Sequence, residues 1–82
     1  MVVISFDPSF QKLFSRIRNV ALKEKILKQI AKIKENPEIG KPMKYDRRGT
    51  RELYIKPFRL SYAYIKDKST IILLDLYHKD EQ

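Results

Sequence analysis

The sequence contains no cysteine and no tryptophan, and it has only two glycines and one histidine. The absence of cysteine excludes disulfides, thiolate metal sites and a cysteine nucleophile. A domain this small that lacks disulfides is typical of a reducing compartment. The N-terminus lacks the basic stretch and apolar run of a signal peptide, and every apolar run is too short to cross a membrane. We therefore expect a cytoplasmic protein with no membrane-spanning segment.

Positive charge is what the chain has in excess. It carries 18 Lys and Arg against 10 Asp and Glu, a formal net charge of +8 over 82 residues. The excess is uneven, because seven cations and only two acids lie between Gly40 and Leu60. Such a distribution favours nucleic acid or an acidic protein as the partner. The alternative is a lysine-rich surface that only keeps the protein soluble.

The length and the 43% hydrophobic content predict a single domain over residues 1–82 with one core. Asp7 and Pro8 form a helix start, and Asn19 separates two helical patterns, although one long helix is the alternative. Asn36 and Pro37 end the second pattern. Hydrophobic spacing predicts a strand at 2–6, a helix from 8, a helix over about 20–35, and strands at 51–55, 58–65 and 71–77.

These elements predict an α+β fold with the order β-α-α-β-β-β. The last three strands should form an antiparallel meander, with the first strand beside the nearly all-apolar last one. The two helices, expected to pack as an antiparallel pair, must cover one face of the sheet and leave the other face open and basic. In the second helix, Leu27 should widen the buried apolar stripe.

Three short motifs carry a resemblance to a known family. They are Gly-Lys-Pro-Met-Lys at 40–44, Phe-Arg-Leu-Ser-Tyr at 58–62, and an apolar strand at 72–77 that ends in His78 and Lys79. With the element order, these motifs make the chain resemble the RelE/ParE superfamily of toxin–antitoxin toxins, and more closely its RelE-like mRNA interferase branch. The resemblance covers essentially the whole chain.

The resemblance implies a toxin that inhibits translation as a ribosome-dependent endoribonuclease. Such an enzyme cleaves mRNA in the ribosomal A site by attack of a ribose 2′-hydroxyl on the adjacent phosphate, and it needs neither a metal nor a cofactor. The implied partners are the ribosome, mRNA and a cognate RelB-like antitoxin, with toxin and antitoxin forming a heterotetramer. The alternative is a non-catalytic toxin, or one that binds DNA gyrase as the ParE branch does.

Carried onto this sequence, the resemblance makes Arg59 the residue that grips the scissile phosphate, unless it forms an ion pair with Glu52 or Asp75. It makes Lys79 the cation that neutralises the leaving oxygen, and His78 an acid or base. A further catalytic candidate is Lys56. The predicted RNA-binding residues are Lys44, Arg47, Arg48 and Arg51.

Two departures from the family pattern concern the chemistry. Glu52 and Tyr54 stand where many relatives carry cations on the second strand, so Lys56 is the nearest substitute. Relatives also often end with a tyrosine several residues after the His-Lys site, and here the printed sequence ends at Gln82. The sequence leaves the identity of the catalytic base open among Tyr62, Tyr64, Tyr77 and His78.

Overall fold

The computed structural model describes residues 2–43 and 49–78 of the chain. The predicted order is confirmed, with the addition of a two-residue strand, β2, in the connection that follows the second helix. No helix in these two ranges is long and apolar enough to span a bilayer. The elements are β1 (Val3–Phe6), α1 (Pro8–Arg16), α2 (Val20–Glu35), β2 (Lys41–Pro42), β3 (Thr50–Ile55), β4 (Phe58–Ile65) and β5 (Thr70–His78).

The two helices start at the capping residues that the sequence predicts. The Asp7 side chain accepts a hydrogen bond from the Ser9 amide at 2.9 Å, with Pro8 at the first helical position. The Asn19 side chain accepts one from the Leu22 amide at 3.1 Å. Because these caps satisfy amides that have no partner within a helix, the chain forms two helices and not one.

The five strands form one sheet in the order β1-β5-β4-β3-β2. The pairing of β1 with β5 is parallel, and the other three pairings are antiparallel. The meander and the central position of the last strand are therefore as predicted. Strand β1 lies beside β5, as its order in the sequence suggested.

One irregularity interrupts the pairing of β4 with β5. Tyr62 pairs with Leu73, whereas the preceding Ser61 pairs with Asp75, so Leu74 is an extra residue in β5. As a result Leu73 and Leu76 are both buried although they are three residues apart. A bulge of this kind reverses the faces of all the residues beyond it.

The core lies between the helices and one face of the sheet. Its strand members include Leu60 and Tyr62, both with no exposed surface. Leu27, which was expected to widen the apolar stripe of α2, is 53% exposed, so that prediction was wrong. The buried residues of α2 are limited to Ile26, Ile30 and Ile33, which lie on a single face of the helix. The buried residues are Phe10, Ile26, Ile30, Ile33, Ile55, Leu60, Tyr62, Ile71, Leu73 and Leu76.

Tyr62 ties the connection after α2 to the core. Its hydroxyl donates to the Pro37 carbonyl oxygen at 2.7 Å and accepts from the Gly40 amide at 2.9 Å. Burial raises the pKa of the Tyr62 phenol, and the hydrogen bond from Gly40 acts in the opposite direction. A Cβ atom at Gly40 would lie 2.7 Å from the Tyr62 hydroxyl oxygen, so only glycine fits this close approach.

We predict that Tyr62→Phe lowers the free energy of unfolding by about 2 kcal/mol at pH 7, because a buried carbonyl and a buried amide lose their partner. The pKa of this phenol is higher in the folded than in the unfolded state. Its contribution to stability is therefore present below about pH 10 and is lost as the pH rises through the folded-state pKa. Urea unfolding of the wild type and the variant at pH 7 and pH 11 should show a smaller difference in their free energies of unfolding at the higher pH.

The matched control is Tyr64→Phe, because Tyr64 is a partly buried phenol on the same strand that has no hydrogen bond to the described residues. This variant should unfold within about 0.5 kcal/mol of the wild type. An equal loss in both variants, or a Tyr62→Phe difference that does not change with pH, would contradict the prediction.

Candidate functional site

The face of the sheet that points away from the helices collects the polar residues of the three long strands. Side chains alternate across a strand, and Leu53 pairs with Leu60 on the helix side. The neighbouring cross-strand pairs, Glu52 with Ser61 and Tyr54 with Arg59, therefore lie on the other side. Beyond the bulge, Tyr77 pairs with Arg59 and joins them. We call this surface the outer face, formed by Glu52, Tyr54, Arg59, Ser61 and Tyr77.

Arg59 is held on the outer face by two neighbours. Its Nη1 atom lies 3.6 Å from Glu52 Oε1, and its guanidinium carbon lies 5.6 Å from the centroid of the Tyr54 ring. Its Nε atom is buried and has no hydrogen-bond partner among the described residues. The side chain is one-third exposed, at 33%. The guanidinium is thus fixed in orientation while one of its donors is not used by this part of the chain.

Glu52 is the buried charge of the outer face, with only 6% of its surface exposed. Its Oε2 atom accepts a hydrogen bond from the Tyr77 hydroxyl, while its Oε1 atom faces Arg59. A buried carboxylate needs such partners to offset the loss of hydration. Glu52, Tyr54, Arg59 and Tyr77 therefore form one connected group, which we call the Glu52 cluster.

Sequence reasoning did not identify Glu52 and Tyr77 as neighbours. It treated Glu52 as a departure from the family pattern and as an ion-pair partner for Arg59, and it left Tyr77 as one of four alternatives for the base. Alternation within β3 and β4 was enough to join Glu52 to Arg59. The position of Tyr77 depends on the bulge at Leu74, for which the sequence carries no clear signal.

Arg51 lies on the helix side of the sheet, away from Arg59. It pairs with the buried Tyr62 across β3 and β4. Its Nη1 atom donates to the carbonyl oxygens of Glu38 at 3.0 Å and Gly40 at 2.7 Å, and its Nη2 atom lies 3.5 Å from the Glu38 carboxylate. These contacts anchor the connection that follows α2.

His78 also lies on the side opposite to Arg59. It pairs with Phe58 across β4 and β5, and the two rings meet edge to face at a centroid distance of 5.7 Å. Lys56 is exposed in the turn between β3 and β4. The remaining predicted site residues, Lys44, Arg47, Arg48 and Lys79, lie outside the described residues.

The four alternatives for the base differ in their position. Tyr62 is buried in the core and Tyr64 is partly buried on the same side of β4, facing the helices. His78 lies against Phe58. Tyr77 alone among these four shares the outer face with Arg59. In residues 2–43 and 49–78 no three histidine, aspartate or glutamate side chains are grouped as metal ligands would be.

A cleft lies on the helix side of the sheet, where the connection between α1 and α2 meets β4 and β5. This cleft has a volume of about 380 Å³. Its floor is apolar, and two exposed arginines line it, Arg16 at the end of α1 and Arg18 in the interhelical connection. The lining residues are Leu13, Arg16, Ile17, Arg18, Asn19, Leu22, Phe58 and Leu76.

Comparison with known proteins identifies the family. Residues 4–82 match the family described as the ParE toxin of the type II toxin–antitoxin system parDE. The match spans nearly the whole chain, so the protein belongs to this family within the RelE/ParE superfamily. It is a toxin of a type II toxin–antitoxin system. A comparison with curated protein sequences found no match.

Solved structures of the superfamily share the fold. The RelE–RelB toxin–antitoxin complex of E. coli matches with a TM-score of 0.82 at 18% identity, over 100% of both chains. The YoeB/ParE toxin of Agrobacterium tumefaciens matches with a TM-score of 0.83 at 17% identity, over 94% of this chain and 98% of that one. The archaeal RelE–RelB complex of Pyrococcus horikoshii matches with a TM-score of 0.78 at 14% identity, over 99% and 98%.

The Glu52–Arg59 contact should contribute a modest coupling free energy. Because Arg59 is one-third exposed and the two charges lie 3.6 Å apart, we expect about 1 kcal/mol from a double-mutant cycle with Glu52→Gln and Arg59→Met. Urea unfolding of the four proteins measures it. A cycle that pairs Glu52→Gln with Lys68→Met, at the far end of β4, should give no coupling. A Glu52–Arg59 value near zero, or equal to that of the control cycle, would contradict the prediction.

Proposed function

We propose that this toxin is a ribosome-dependent endoribonuclease that cleaves mRNA without a metal ion. The observation that supports this most directly is the state of Arg59. Its guanidinium is fixed on the outer face beside Glu52 and Tyr54, and one-third of the side chain is exposed. A planar cation held in this way on an accessible surface suits the oxygens of a phosphate group.

The surroundings of Arg59 fit a single-stranded RNA substrate. The Tyr54 ring lies beside the guanidinium and is 49% exposed, so it can stack on a nucleobase next to the bound phosphate. The net charge of +8 adds an attraction for ribosomal RNA that salt should weaken strongly. Both features suit a single-stranded message whose bases are unstacked.

The proposed reaction is an intramolecular transesterification. The ribose 2′-oxygen forms a bond with the adjacent phosphorus, the bond from phosphorus to the 5′-oxygen breaks, and the products carry a 2′,3′-cyclic phosphate and a 5′-hydroxyl. Arg59 stabilises the negative charge that grows on the non-bridging oxygens. Lys56 and Lys79 remain proposed contributors to charge neutralisation, and His78 remains a proposed acid. The sequence-predicted RNA contacts of Lys44, Arg47, Arg48 and Arg51 also stay proposals.

A second candidate function is the poisoning of DNA gyrase without nuclease chemistry. Two observations favour it. The matched family is described by its ParE toxin. In addition, Glu52 and Tyr54 occupy positions of β3 where RNA-cleaving relatives often carry cations. The Glu52 carboxylate also neutralises part of the charge of Arg59.

To test the nuclease function, purified toxin is added to ribosomes translating a defined message, and cleavage sites are mapped by primer extension. Wild-type toxin should cut within the A-site codon, and Arg59→Ala should lower the rate at least about 100-fold because the phosphate loses its charged donors. Lys68→Ala removes one positive charge at the far end of the β4–β5 hairpin, and it should cut at the wild-type rate.

The same experiment separates the two functions. Uncut message with wild-type toxin, together with gyrase-linked breaks in supercoiled plasmid, would select gyrase poisoning and reject the nuclease. Equal activity of Arg59→Ala and wild-type toxin would reject the role of Arg59.

We further propose that a cognate antitoxin binds the cleft between the helices and the sheet through an acidic amphipathic helix. The RelE toxins of E. coli and Pyrococcus horikoshii were solved as complexes with RelB. The cleft offers an apolar floor of about the size that a few helix side chains fill. Arg16 and Arg18, which line it, and the 68% exposed Val20 beside it, suit a partner with acidic flanks and an apolar stripe.

The antitoxin for this test is the product of a short reading frame that lies upstream of the toxin frame or overlaps it and that encodes an acidic protein. Replacing Arg16 and Arg18 by glutamate should weaken binding at least about tenfold, because two attractive charge contacts become repulsive. The control replaces Lys28 and Lys32, exposed on α2, by glutamate and should change the Kd less than about twofold. Calorimetry gives the Kd, and light scattering tests the proposed heterotetramer. Equal weakening by both pairs would place the antitoxin elsewhere.

A further inference from the structure

We infer that Tyr77 accepts the proton of the attacking 2′-hydroxyl and passes its own proton to Glu52. This inference rests on the proposed nuclease function. It deepens that function by naming the base, which neither the family resemblance nor the motifs identify. The observation behind it is the hydrogen bond from the Tyr77 hydroxyl to Glu52 Oε2, beside Arg59.

The sheet places the two members of this pair two strands apart. Glu52 is on β3 and Tyr77 is on β5, and they lie on a diagonal across β4, because Glu52 pairs with Ser61 and Tyr77 pairs with Arg59. The small side chain of Ser61 leaves the space over β4 that the Tyr77 ring crosses. The pair therefore lies against the side chain that is proposed to hold the phosphate.

The burial of Glu52 explains why the carboxylate acts through the tyrosine. Its side chain is 5% exposed, so a ribose hydroxyl has almost no direct access to it. Tyr77 is only partly buried, so a ribose hydroxyl has more access to it than to Glu52. The Tyr77 hydroxyl carries its proton, because it donates it in the hydrogen bond to Glu52. It can accept a proton only if it gives up its own at the same time, and Glu52 is the acceptor already in contact.

The step balances as follows. The 2′-hydroxyl proton moves to the Tyr77 oxygen, and the Tyr77 proton moves to Glu52 Oε2. The electron pair left on the 2′-oxygen forms the bond to phosphorus, and the bond from phosphorus to the 5′-oxygen breaks. The departing 5′-oxygen takes a proton from the general acid, for which His78 is the proposed residue. After product release the Glu52 proton returns through Tyr77 to solvent.

Charged and titratable side chains on four strands surround Glu52. Among the described residues, those that share its face are Lys41 of β2, Tyr54 of β3, Arg59 of β4, and Asp75 and Tyr77 of β5. Lys41 and Arg59 bring positive charge to this group, and Asp75, which pairs with Ser61 one strand away, brings negative charge.

The test is single-turnover cleavage of ribosome-bound message by Tyr77→Phe, Glu52→Gln and the double variant. Each single variant should lower the maximal cleavage rate about 100-fold. The toxin concentration that gives half of this rate should stay within about twofold of the wild-type value. The double variant should be no slower than either single one, because the two groups act as a unit. Tyr64→Phe, a tyrosine variant on the helix side, should cleave at the wild-type rate.

Two readouts separate a proton relay from a structural role. The fall of the wild-type rate toward acidic pH, which reports a base, should be absent in Glu52→Gln. In mixtures of H₂O and D₂O, a plot of the wild-type cleavage rate against the deuterium fraction should be curved, because two protons move in one step. The second readout needs no variant, so it holds even if Tyr77→Phe does not fold.

The outcomes that overturn the relay are distinct from failure of the nuclease function. Three results would each overturn the relay: a wild-type cleavage rate in Tyr77→Phe, a loss in the double variant equal to the product of the two single losses, or a linear dependence of the rate on the deuterium fraction. The nuclease function itself would stand in each case, provided that wild-type toxin cuts the message and Arg59→Ala does not. If wild-type toxin does not cut ribosome-bound message at all, the proposed function fails and the relay fails with it.

Discussion

The extra residue in β5 determines which side chains reach the outer face. Strict alternation from Ile71 would place Asp75 and Tyr77 on the helix side with the buried Leu73. A charged aspartate in that core would lose its hydration without a partner. The bulge at Leu74 turns Asp75 outward and buries Leu76 in its place. The same shift brings Tyr77 to the outer face and turns His78 toward the helices.

The composition of the Glu52 cluster follows from that shift. Arg59 and Glu52 face outward because Leu60 and Leu53 must face the helices. Tyr77 joins them only because β5 carries one residue more than β4 between the paired positions. A hydrogen-bonded carboxylate, an arginine and a phenol thus meet on the outer face. A bulge that re-aims side chains beside a functional site is a recurrent use of this irregularity.

Much of the fold was readable from the sequence because its signals are local. The caps at Asp7 and Asn19, the alternation at 58–65 and the apolar strand at 71–77 each depend on a few neighbouring residues, and each was confirmed. The site was less predictable because it depends on register. Alternation counted along β5 cannot detect an inserted residue, so the sequence could not choose among Tyr62, Tyr64, Tyr77 and His78 as the base. The backbone contacts of Arg51 were missed for a different reason. Its position beside the buried Tyr62 follows from alternation, but two backbone carbonyls after α2 hold its guanidinium on that side.

The Glu52–Arg59 pair explains how the outer face can be stable in the free toxin and still bind RNA in the proposed reaction. An isolated arginine of this orientation would lose part of its hydration with no compensating charge, so Glu52 stabilises it in the free toxin. The contact is long, at 3.6 Å, and one partner is one-third exposed, so its net contribution is about 1 kcal/mol or less. In the proposed reaction a phosphodiester, whose negative charge grows as the 2′-oxygen attacks, takes over the guanidinium in a bidentate geometry at little cost.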